Sequence, residues 1–187
     1  MSSTRLLHDM IRQYCSRRSV YPDIKKLRVV LTLLSDQQKL YILQQEYSGW
    51  TVLECAAYRG HTEIISTLLI SLQFSAGRLK LLMVNDKYTP LHEAARQGHT
   101  DSVKCILDCL TADQQIQIMS VQWLGMTAIQ WAERRGHTDT VRVLREYQHK
   151  AENKRREEYS KLMIIIPLLL IIMSGVMRTL TELTILC

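Results

Sequence analysis

The stretch that decides the fold is Thr89-Pro-Leu-His-Glu-Ala-Ala-Arg-Gln-Gly-His-Thr-Asp101, near the middle of a 187-residue chain. The same pattern occurs twice more, as Thr51-Val-Leu-Glu-Cys-Ala-Ala-Tyr-Arg-Gly-His-Thr-Glu63 and as Thr127-Ala-Ile-Gln-Trp-Ala-Glu-Arg-Arg-Gly-His-Thr-Asp139. Each copy starts 38 residues after the one before it. A fixed period of this size predicts structural repeats that stack on one another and share a continuous core.

Each copy has the residues that two short helices need. The leading threonine can cap a helix through its hydroxyl, and Pro90 suits a first helical turn because it has no N–H to lose. Leu91, Ala94 and Ala95 follow at helical spacing and share one face. The glycine of each copy is predicted to end this helix with a positive φ, and the next threonine to cap the second helix. These residues are Gly60, Gly98 and Gly136, followed by Thr62, Thr100 and Thr138.

The segments between copies predict one more short helix per repeat. Ser35-Asp-Gln-Gln-Lys-Leu-Tyr-Ile-Leu43 and Thr111-Ala-Asp-Gln-Gln-Ile-Gln-Ile-Met119 each begin with a hydroxyl residue and continue with helix formers. A turn then leads to the next threonine, with Gly49 and Gly125 two positions before it. Lys87 stands there in the middle copy, which predicts a turn of another type or a looser one.

The Thr-Pro-Leu-His-Glu-Ala-Ala signature, with Gly-His-Thr-Asp after it, resembles the ankyrin repeat. The resemblance covers roughly residues 35–144, and the period is longer than the family's usual length of about 33. It implies an all-α, ankyrin-type helical repeat solenoid. It also implies that the histidine of each Gly-His pair, together with His92, holds loops through backbone hydrogen bonds.

Five segments are predicted along the chain. The N-terminal one carries Leu6, Leu7, Met10 and Ile11 on one amphipathic helix. Arg145 replaces an apolar residue of the other copies, as suits a terminal repeat whose outer face meets water. The segments are N-terminal capping helices or a half repeat (1–34), the repeat domain (35–147), a basic polar helical connector (148–161), a transmembrane helix (162–178) and a short tail (179–187).

Residues 162–177 carry no charge and lie between Lys161 and Arg178. As a helix this run is about 24 Å long, against about 30 Å for a bilayer core, so a thin membrane such as that of the endoplasmic reticulum suits it. The basic residues upstream predict a single-pass membrane protein, anchored in the manner of a tail-anchored protein, with its repeats facing the cytosol. Two other interpretations stay open, a buried helix of a soluble domain and a partner-binding tail of a soluble adaptor.

Composition and motifs argue against other classes of function. Lys and Arg number 24 against 18 Asp and Glu, but no groove-reading motif accompanies this net charge of +6, and we expect no nucleic-acid partner. The five cysteines lack CxxC spacing and are predicted to be reduced thiols, with no metal and no cofactor. No phosphate-binding, dinucleotide-binding or nucleophile-elbow motif is present, so we expect no enzyme and no small-molecule substrate.

The predicted function is a non-catalytic protein–protein interaction module, a scaffold or adaptor, anchored to a membrane by its C-terminus. The alternative is the regulatory ankyrin part of a truncated multi-span membrane protein such as a channel subunit. The resemblance implies that a partner binds the concave face, at the turn tips and on the first helices. The residues there are Tyr47, Trp50, Tyr58, Arg59, Tyr88, Arg96, Trp123, Met126, Arg134 and Arg135.

Trp, Tyr and Arg are the residue types that dominate binding hot spots. The four arginines of this set favour a partner with acidic side chains. The competing interpretation is that Trp50 and Trp123 only pack the turns together, and that Trp131 belongs to the packing of its helix.

Overall fold

The computed structural model describes the backbone of residues 3–16, 22–47, 49–84 and 88–185, with side chains up to Ile166 except at positions 75 and 164. All regular structure in these residues is helical, as predicted. The helices are α1 (Ser3–Cys15), α2 (Ile24–Thr32), α3 (Asp36–Leu43), α4 (Val52–Arg59), α5 (Thr62–Ile70), α6 (Ser75–Leu82), α7 (Pro90–Gln97), α8 (Thr100–Asp108), α9 (Ala112–Ser120), α10 (Ala128–Arg135) and α11 (Thr138–Ile185).

The long period is explained by a third helix in each repeat. Helices α4 and α5 are the first and second helices of one copy, α7 and α8 of the next, and α10 and α11 of the last. The predicted extra helices are confirmed as α3, α6 and α9, each placed before a turn. Ser35 and Thr111 cap two of them through their hydroxyls, as their position in the sequence indicates.

The ends of the first helices follow the predicted chemistry. The Oγ1 atoms of Thr51, Thr89 and Thr127 accept hydrogen bonds from backbone N–H groups in the first turn. Gly60 and Gly98 end the helices with φ of +68° and +77°. A Cβ at either glycine would also lie 2.7 or 2.6 Å from the histidine ring of the next repeat, so two separate constraints select glycine there.

The second threonine of each copy was wrongly predicted to be a helix cap. The cap position of α5 is His61, and Thr62 is the first residue within the helix. The Thr62 hydroxyl is hydrogen-bonded to the Ser102 hydroxyl at 3.0 Å, and the Thr100 hydroxyl to the Thr140 hydroxyl at 2.8 Å. These hydroxyls therefore join one repeat to the next instead of satisfying their own helix.

The core runs through all the repeats along the paired small residues. Ala56, Ala57, Ala94 and Ala95 are fully buried where α4 packs against α7. Their small side chains let the first helices approach closely, while Leu, Ile and Val of the second helices fill the space behind them. In the N-terminal segment α1 is amphipathic as predicted, since Leu7 and Ile11 are buried.

Two of the turns form isolated antiparallel bridges. Tyr47 and Trp50 exchange backbone hydrogen bonds of 2.8 and 3.3 Å, and Trp123 and Met126 do the same at 2.9 and 3.1 Å. Leu124, at φ +50°, and Gly125 both have positive φ, as a two-residue hairpin requires. The middle turn, with Lys87, lies outside the described residues.

A basic side chain on α3 and another on α6 each form a hydrogen bond to the following repeat. The sequence did not predict these two bonds. Lys39 of α3 donates from Nζ to the Ser71 carbonyl at 2.7 Å, just past the end of α5. Arg78 of α6 donates from Nη1 to the Cys109 carbonyl at 3.3 Å, just past the end of α8. Both satisfy a carbonyl at a helix C-terminus, where a positive charge is also favourable.

The last helix extends well past the repeat. Arg145 faces solvent as predicted and pairs with Glu133 at 2.6 Å. Beyond it, Ala151 is 1% exposed, and Arg155 lies 3.7 Å from Asp113 of α9. The helix is continuous through the residues predicted as a connector, and its first part covers α8 and α9.

The side chains predicted to cross a membrane lie largely outside the described ones, which stop at Ile166. Leu162, Met163, Ile165 and Ile166 are exposed, with 47 to 73% of their surface accessible. Among the described residues, no helix is both long enough and apolar enough for a membrane span.

Candidate protein-binding surface

The turns and first helices bring five aromatic rings into one continuous series, which we call the aromatic ladder. Its members, in order of contact, are Tyr58, Trp50, Tyr88, Trp123 and Trp131. Successive ring centroids are 5.7, 6.2, 4.7 and 4.6 Å apart. These separations are those of favourable edge-to-face and offset contacts, so each ring holds its neighbour in place.

The exposure of the ladder decreases from one end to the other. Tyr58 is 49% exposed, Trp50, Tyr88 and Trp123 are half-buried, and Trp131 is 7% exposed. Trp131 donates from Nε1 to the Trp123 carbonyl at 3.2 Å, which ties α10 to its own turn. The tryptophans therefore pack the turns together, and four of the five rings still present surface to solvent.

Two arginines extend the ladder at its Trp131 end. The Arg134 guanidinium lies 5.6 Å from the Trp131 ring centroid, and its Nη1 is 3.9 Å from the sulfur of Met126. Arg134 and the adjacent Arg135 are both exposed at the end of α10. This end of the surface is therefore both aromatic and positively charged.

Arg96 does not contribute free positive charge. Its Nη2 lies 2.6 Å from Oε1 of Glu93, a carboxylate that is almost completely buried. Gln97 donates to the same Oε1 at 2.8 Å. The charge of Arg96 is used to neutralise a buried anion of α7.

Arg59 is also engaged within the molecule. It donates to the carbonyls of Tyr14 and Ser16 at 2.6 and 3.4 Å, and its guanidinium lies 4.9 Å from the Tyr14 ring centroid. Arg59 therefore holds the C-terminal end of α1 against α4. The expected face of four free arginines is reduced to Arg134 and Arg135.

Tyr47 is placed apart from the ladder. Its ring packs edge-on against His8 of α1, with centroids 5.3 Å apart. Its hydroxyl is buried and has no hydrogen-bond partner among the described residues, and burial raises the pKa of the phenol. Tyr47 serves the contact between α1 and the first turn.

The repeat histidines hold loops, as the family resemblance implied. His99 and His137 donate from Nε2 to the carbonyls of Tyr58 and Arg96, both at 3.1 Å, and each bond joins one repeat to the one before it. His61 instead bonds the Tyr14 hydroxyl at 2.8 Å.

His92 supports the turn behind the ladder. It is completely buried, with Nδ1 2.9 Å from the Thr89 hydroxyl and Nε2 3.0 Å from the Val121 carbonyl. Nε2 must donate to that carbonyl, so Nδ1 of the neutral ring accepts from the hydroxyl. Burial lowers the pKa of His92 to about 4, which keeps the ring neutral at physiological pH.

No group of three His, Cys, Asp or Glu side chains that could hold a metal ion occurs among the described residues. The candidate surface thus consists of the aromatic ladder and the guanidinium groups of Arg134 and Arg135. It can contribute apolar burial, ring stacking and charge-assisted hydrogen bonds to a partner.

A family model described as Ankyrin repeats (3 copies) matches residues 23–118 and, again, residues 76–157. A search of curated proteins found no match. The two matched ranges together span residues 23–157, more than half of the chain. The chain therefore belongs to the ankyrin repeat family, whose repeats are protein–protein interaction modules.

Proposed function

We propose that this chain binds a protein partner through the aromatic ladder and the Arg134–Arg135 pair, while its C-terminus holds it at a membrane. The observation that carries the proposal is the continuity of the ladder across three successive turns, with Tyr58 of α4 at one end and Trp131 of α10 at the other. No step of chemistry is needed, because a preformed surface can act by binding alone.

The ladder is well suited to binding because its rings are already ordered. Each ring contacts another ring of the series, so a partner would immobilise few free side chains. Ordering a mobile side chain on binding costs roughly 0.5–1.5 kcal/mol. A preorganised aromatic surface avoids much of that cost, and aromatic residues with arginine are enriched among hot spots.

The partner is proposed to present acidic side chains to the Trp131 end. Arg134 and Arg135 are exposed there, whereas Arg59 and Arg96 are occupied by internal contacts. An acidic group would therefore meet positive charge at one end of the ladder only, which would give the complex a fixed orientation. Charge of this kind governs orientation and association rate more than total affinity.

The test compares variants in quantitative affinity capture from cell extract. Tyr58→Ala removes the most exposed ring, and Arg135→Glu reverses a charge at the other end. Tyr41→Ala and Arg142→Glu are matched controls, because both side chains are exposed and lie outside the ladder. We expect at least one protein that both control variants retain and that Tyr58→Ala and Arg135→Glu both lose. If every retained protein binds all four variants equally, the ladder is not the binding surface.

The membrane anchor is the second part of the proposal, and its support is the sequence. Residues 162–177 have no charge, and Lys154, Arg155, Arg156 and Lys161 precede them. Basic residues next to a span favour the cytosolic side, so the repeats would face the cytosol. Anchoring would raise the concentration of the ladder near partners at the same membrane.

Carbonate extraction tests the anchor directly. The full chain and a chain ending at Tyr159 are expressed in cells, and membranes are washed at alkaline pH. We expect only the full chain to stay in the membrane pellet, with its repeats open to added protease in intact organelles. Release of both chains would exclude an integral anchor, and protection of the repeats would contradict the cytosolic orientation.

A further inference from the structure

The connections from second to third helices form one edge of the stack, which we call the loop edge. It consists of the equivalent residues 32–36, 70–74 and 108–112. The Gln73 N–H donates to Oδ2 of Asp36 at 3.0 Å. Arg78 donates to the carbonyls of Leu72 and Cys109 at 3.1 and 3.3 Å. The three connections are thus joined in a row, and the turns of the aromatic ladder lie beyond the other ends of the third helices.

Helix α11 extends past the stack on the side of the loop edge. Near the end of α8, the Tyr147 hydroxyl donates to the Asp108 carboxylate. Eight residues further along α11, Arg155 lies 3.7 Å from Asp113, in the first turn of α9. Between these two contacts the connection follows α11 for about 12 Å, at 1.5 Å per residue. The direction it follows is that of the uncharged run 162–177.

Three large apolar side chains are exposed on this edge. Leu33 follows α2, Ile70 ends α5 and Phe74 precedes α6, with 65, 66 and 71% of their surfaces accessible. Phe74 lies 38 residues before Ala112, so its place in its own connection is that of the residue next to Asp113. Single exposed apolar residues are common on protein surfaces, whereas three on adjacent connections indicate an interaction site.

The carboxylates near these apolar residues are engaged within the molecule. Asp36 accepts from the Lys39 ammonium at 3.0 Å as well as from Gln73. Asp108 and Asp113 contact side chains of α11, as described above. Exposed basic residues follow on α11 before the uncharged run, namely Lys154, Arg155 and Arg156. Apolar side chains next to basic ones suit a membrane surface that contains anionic lipids.

We propose, on the basis of the membrane anchor proposed above, that the loop edge lies against the membrane surface with Phe74 among the lipid headgroups. Arg155 marks the level of the loop edge on α11, and the uncharged run begins seven residues later, about 10 Å along a helix. The headgroup region of a bilayer is about 5–8 Å thick on each side. An aromatic ring that projects from the edge therefore reaches this region.

The contact gives the stack a second attachment and a fixed orientation. The Phe74 connection is separated from α11 by α8, so the two attachments are about 20 Å apart at the usual spacing of packed helices. An anchor alone lets the repeats swing about one helix, and a second contact at this distance prevents it. The turns of the aromatic ladder then point away from the lipid, where a cytosolic partner can reach them.

Photo-crosslinking tests this arrangement on the full chain in vesicles of phosphatidylcholine and phosphatidylserine. The photoreactive amino acid p-benzoylphenylalanine replaces Phe74, Leu124 or Met163, one position at a time, and lipid adducts are identified by peptide mass spectrometry. Leu124, in the turn after α9, is the matched control because it is 73% exposed. We expect lipid adducts at positions 74 and 163 and none above background at position 124.

Position 163 distinguishes failure of the anchor from failure of the loop edge. Adducts at position 163 without adducts at position 74 would overturn the loop-edge contact and leave the anchor in place. Adducts at position 74 without adducts at position 163 would support the loop-edge contact and contradict the integral anchor. Equal yields at positions 74 and 124 would mean unspecific contact and overturn the assignment, and no adducts at any position would overturn both proposals.

A charge at Phe74 tests whether its ring holds the edge on the membrane. With the photoreactive residue in place of Leu33, Phe74→Glu should lower the ratio of docked to undocked repeats about tenfold, because the ring is no longer removed from water. Leu124→Glu, a matched change at a similarly exposed position, should leave the adduct yield at position 33 unchanged. Circular dichroism verifies that each variant is folded. Equal yields in the two variants would contradict the role of Phe74.

Discussion

At the scale of single residues, one position of the second helices has a different residue in each of the three copies. Thr67, Cys105 and Val143 are equivalent, since they are 38 residues apart on the second helices. Thr67 is 8% exposed, and its hydroxyl has no hydrogen-bond partner among the described residues. It lies beside an open cavity of about 330 Å³ between α2 and α5, which Leu31 and Ile70 also line.

Thr67→Val should therefore stabilise the protein. The change removes a buried, unpaired hydroxyl, keeps the side-chain volume, and installs the residue that the last copy already has. An unpaired polar group costs about 1–3 kcal/mol, so a gain of roughly 1 kcal/mol in the free energy of unfolding is expected in urea denaturation. A loss of stability would show instead that the hydroxyl is bonded to water in the cavity.

His92 makes the stability of the fold depend on pH. Its pKa is about 4 in the folded chain and near 6.5 when unfolded, so only the unfolded chain takes up a proton as the pH falls below 6.5. Stability is therefore complete above pH 6.5 and declines toward pH 4. The loss between pH 7 and pH 5 should be about 2 kcal/mol in chemical denaturation. His61, whose pKa burial also lowers, adds to the loss with the same sign.

His92→Gln separates this effect from general acid sensitivity. Glutamine can still donate to the Val121 carbonyl but does not titrate. The variant should be less stable at pH 7 and lose less on acidification than the parent. An unchanged pH slope would contradict the role given to His92.

At the scale of helices, one side chain of α4 makes several contacts with the C-terminal end of α1. Arg59 supplies two hydrogen bonds to the end of α1 and a cation–π contact with Tyr14. Arg59→Ala should weaken the docking of α1 by about 2 kcal/mol. Hydrogen exchange should then speed up in α1 and leave α7 and α8 unchanged. Arg135→Ala, at an exposed position near the end of α10, is the control and should change neither.

The helix pattern was predictable because its signals are local. Threonine caps, terminal glycines and the third helices depend on residues within one or two turns of each other. The hydroxyl of Thr62 was misassigned because its partner, Ser102, belongs to the next repeat. Locating such a partner requires the rotation of one helix against another, which the sequence does not state.

The candidate surface was predicted in composition and only partly in arrangement. The 38-residue period gave Trp50 and Tyr88 equivalent positions, and Trp123 lies in the following turn, but the mutual contacts of the three rings depend on how the repeats stack. The hydrogen bond from Arg59 to Tyr14 could not be predicted from nearby residues, because the two are 45 residues apart in the sequence. The pairing of Arg96 with Glu93 is an i, i+3 contact and could have been anticipated.

At the scale of the whole molecule, the stack needs a cover at each end, and α11 supplies the one after the last repeat. Ala151 is buried on the side of α11 that packs over α8 and α9. Ala151→Asp would bury a charge there, and about 2–4 kcal/mol of unfolding free energy should be lost. Gln148→Asp, an exposed position three residues earlier, is the control. Equal stability of the two variants would show that α11 is detached at this point.

The hydrogen bonds between repeats also affect how the number of repeats can change in evolution. The His99–Tyr58 and His137–Arg96 pairs are each separated by 41 residues, and the Thr62–Ser102 and Thr100–Thr140 pairs by 40. Every one of these bonds reaches the adjacent copy and no further. A gene duplication that inserted one whole 38-residue unit would therefore meet matching donors and acceptors at both new joints. The fold can therefore lengthen or shorten by single units in evolution.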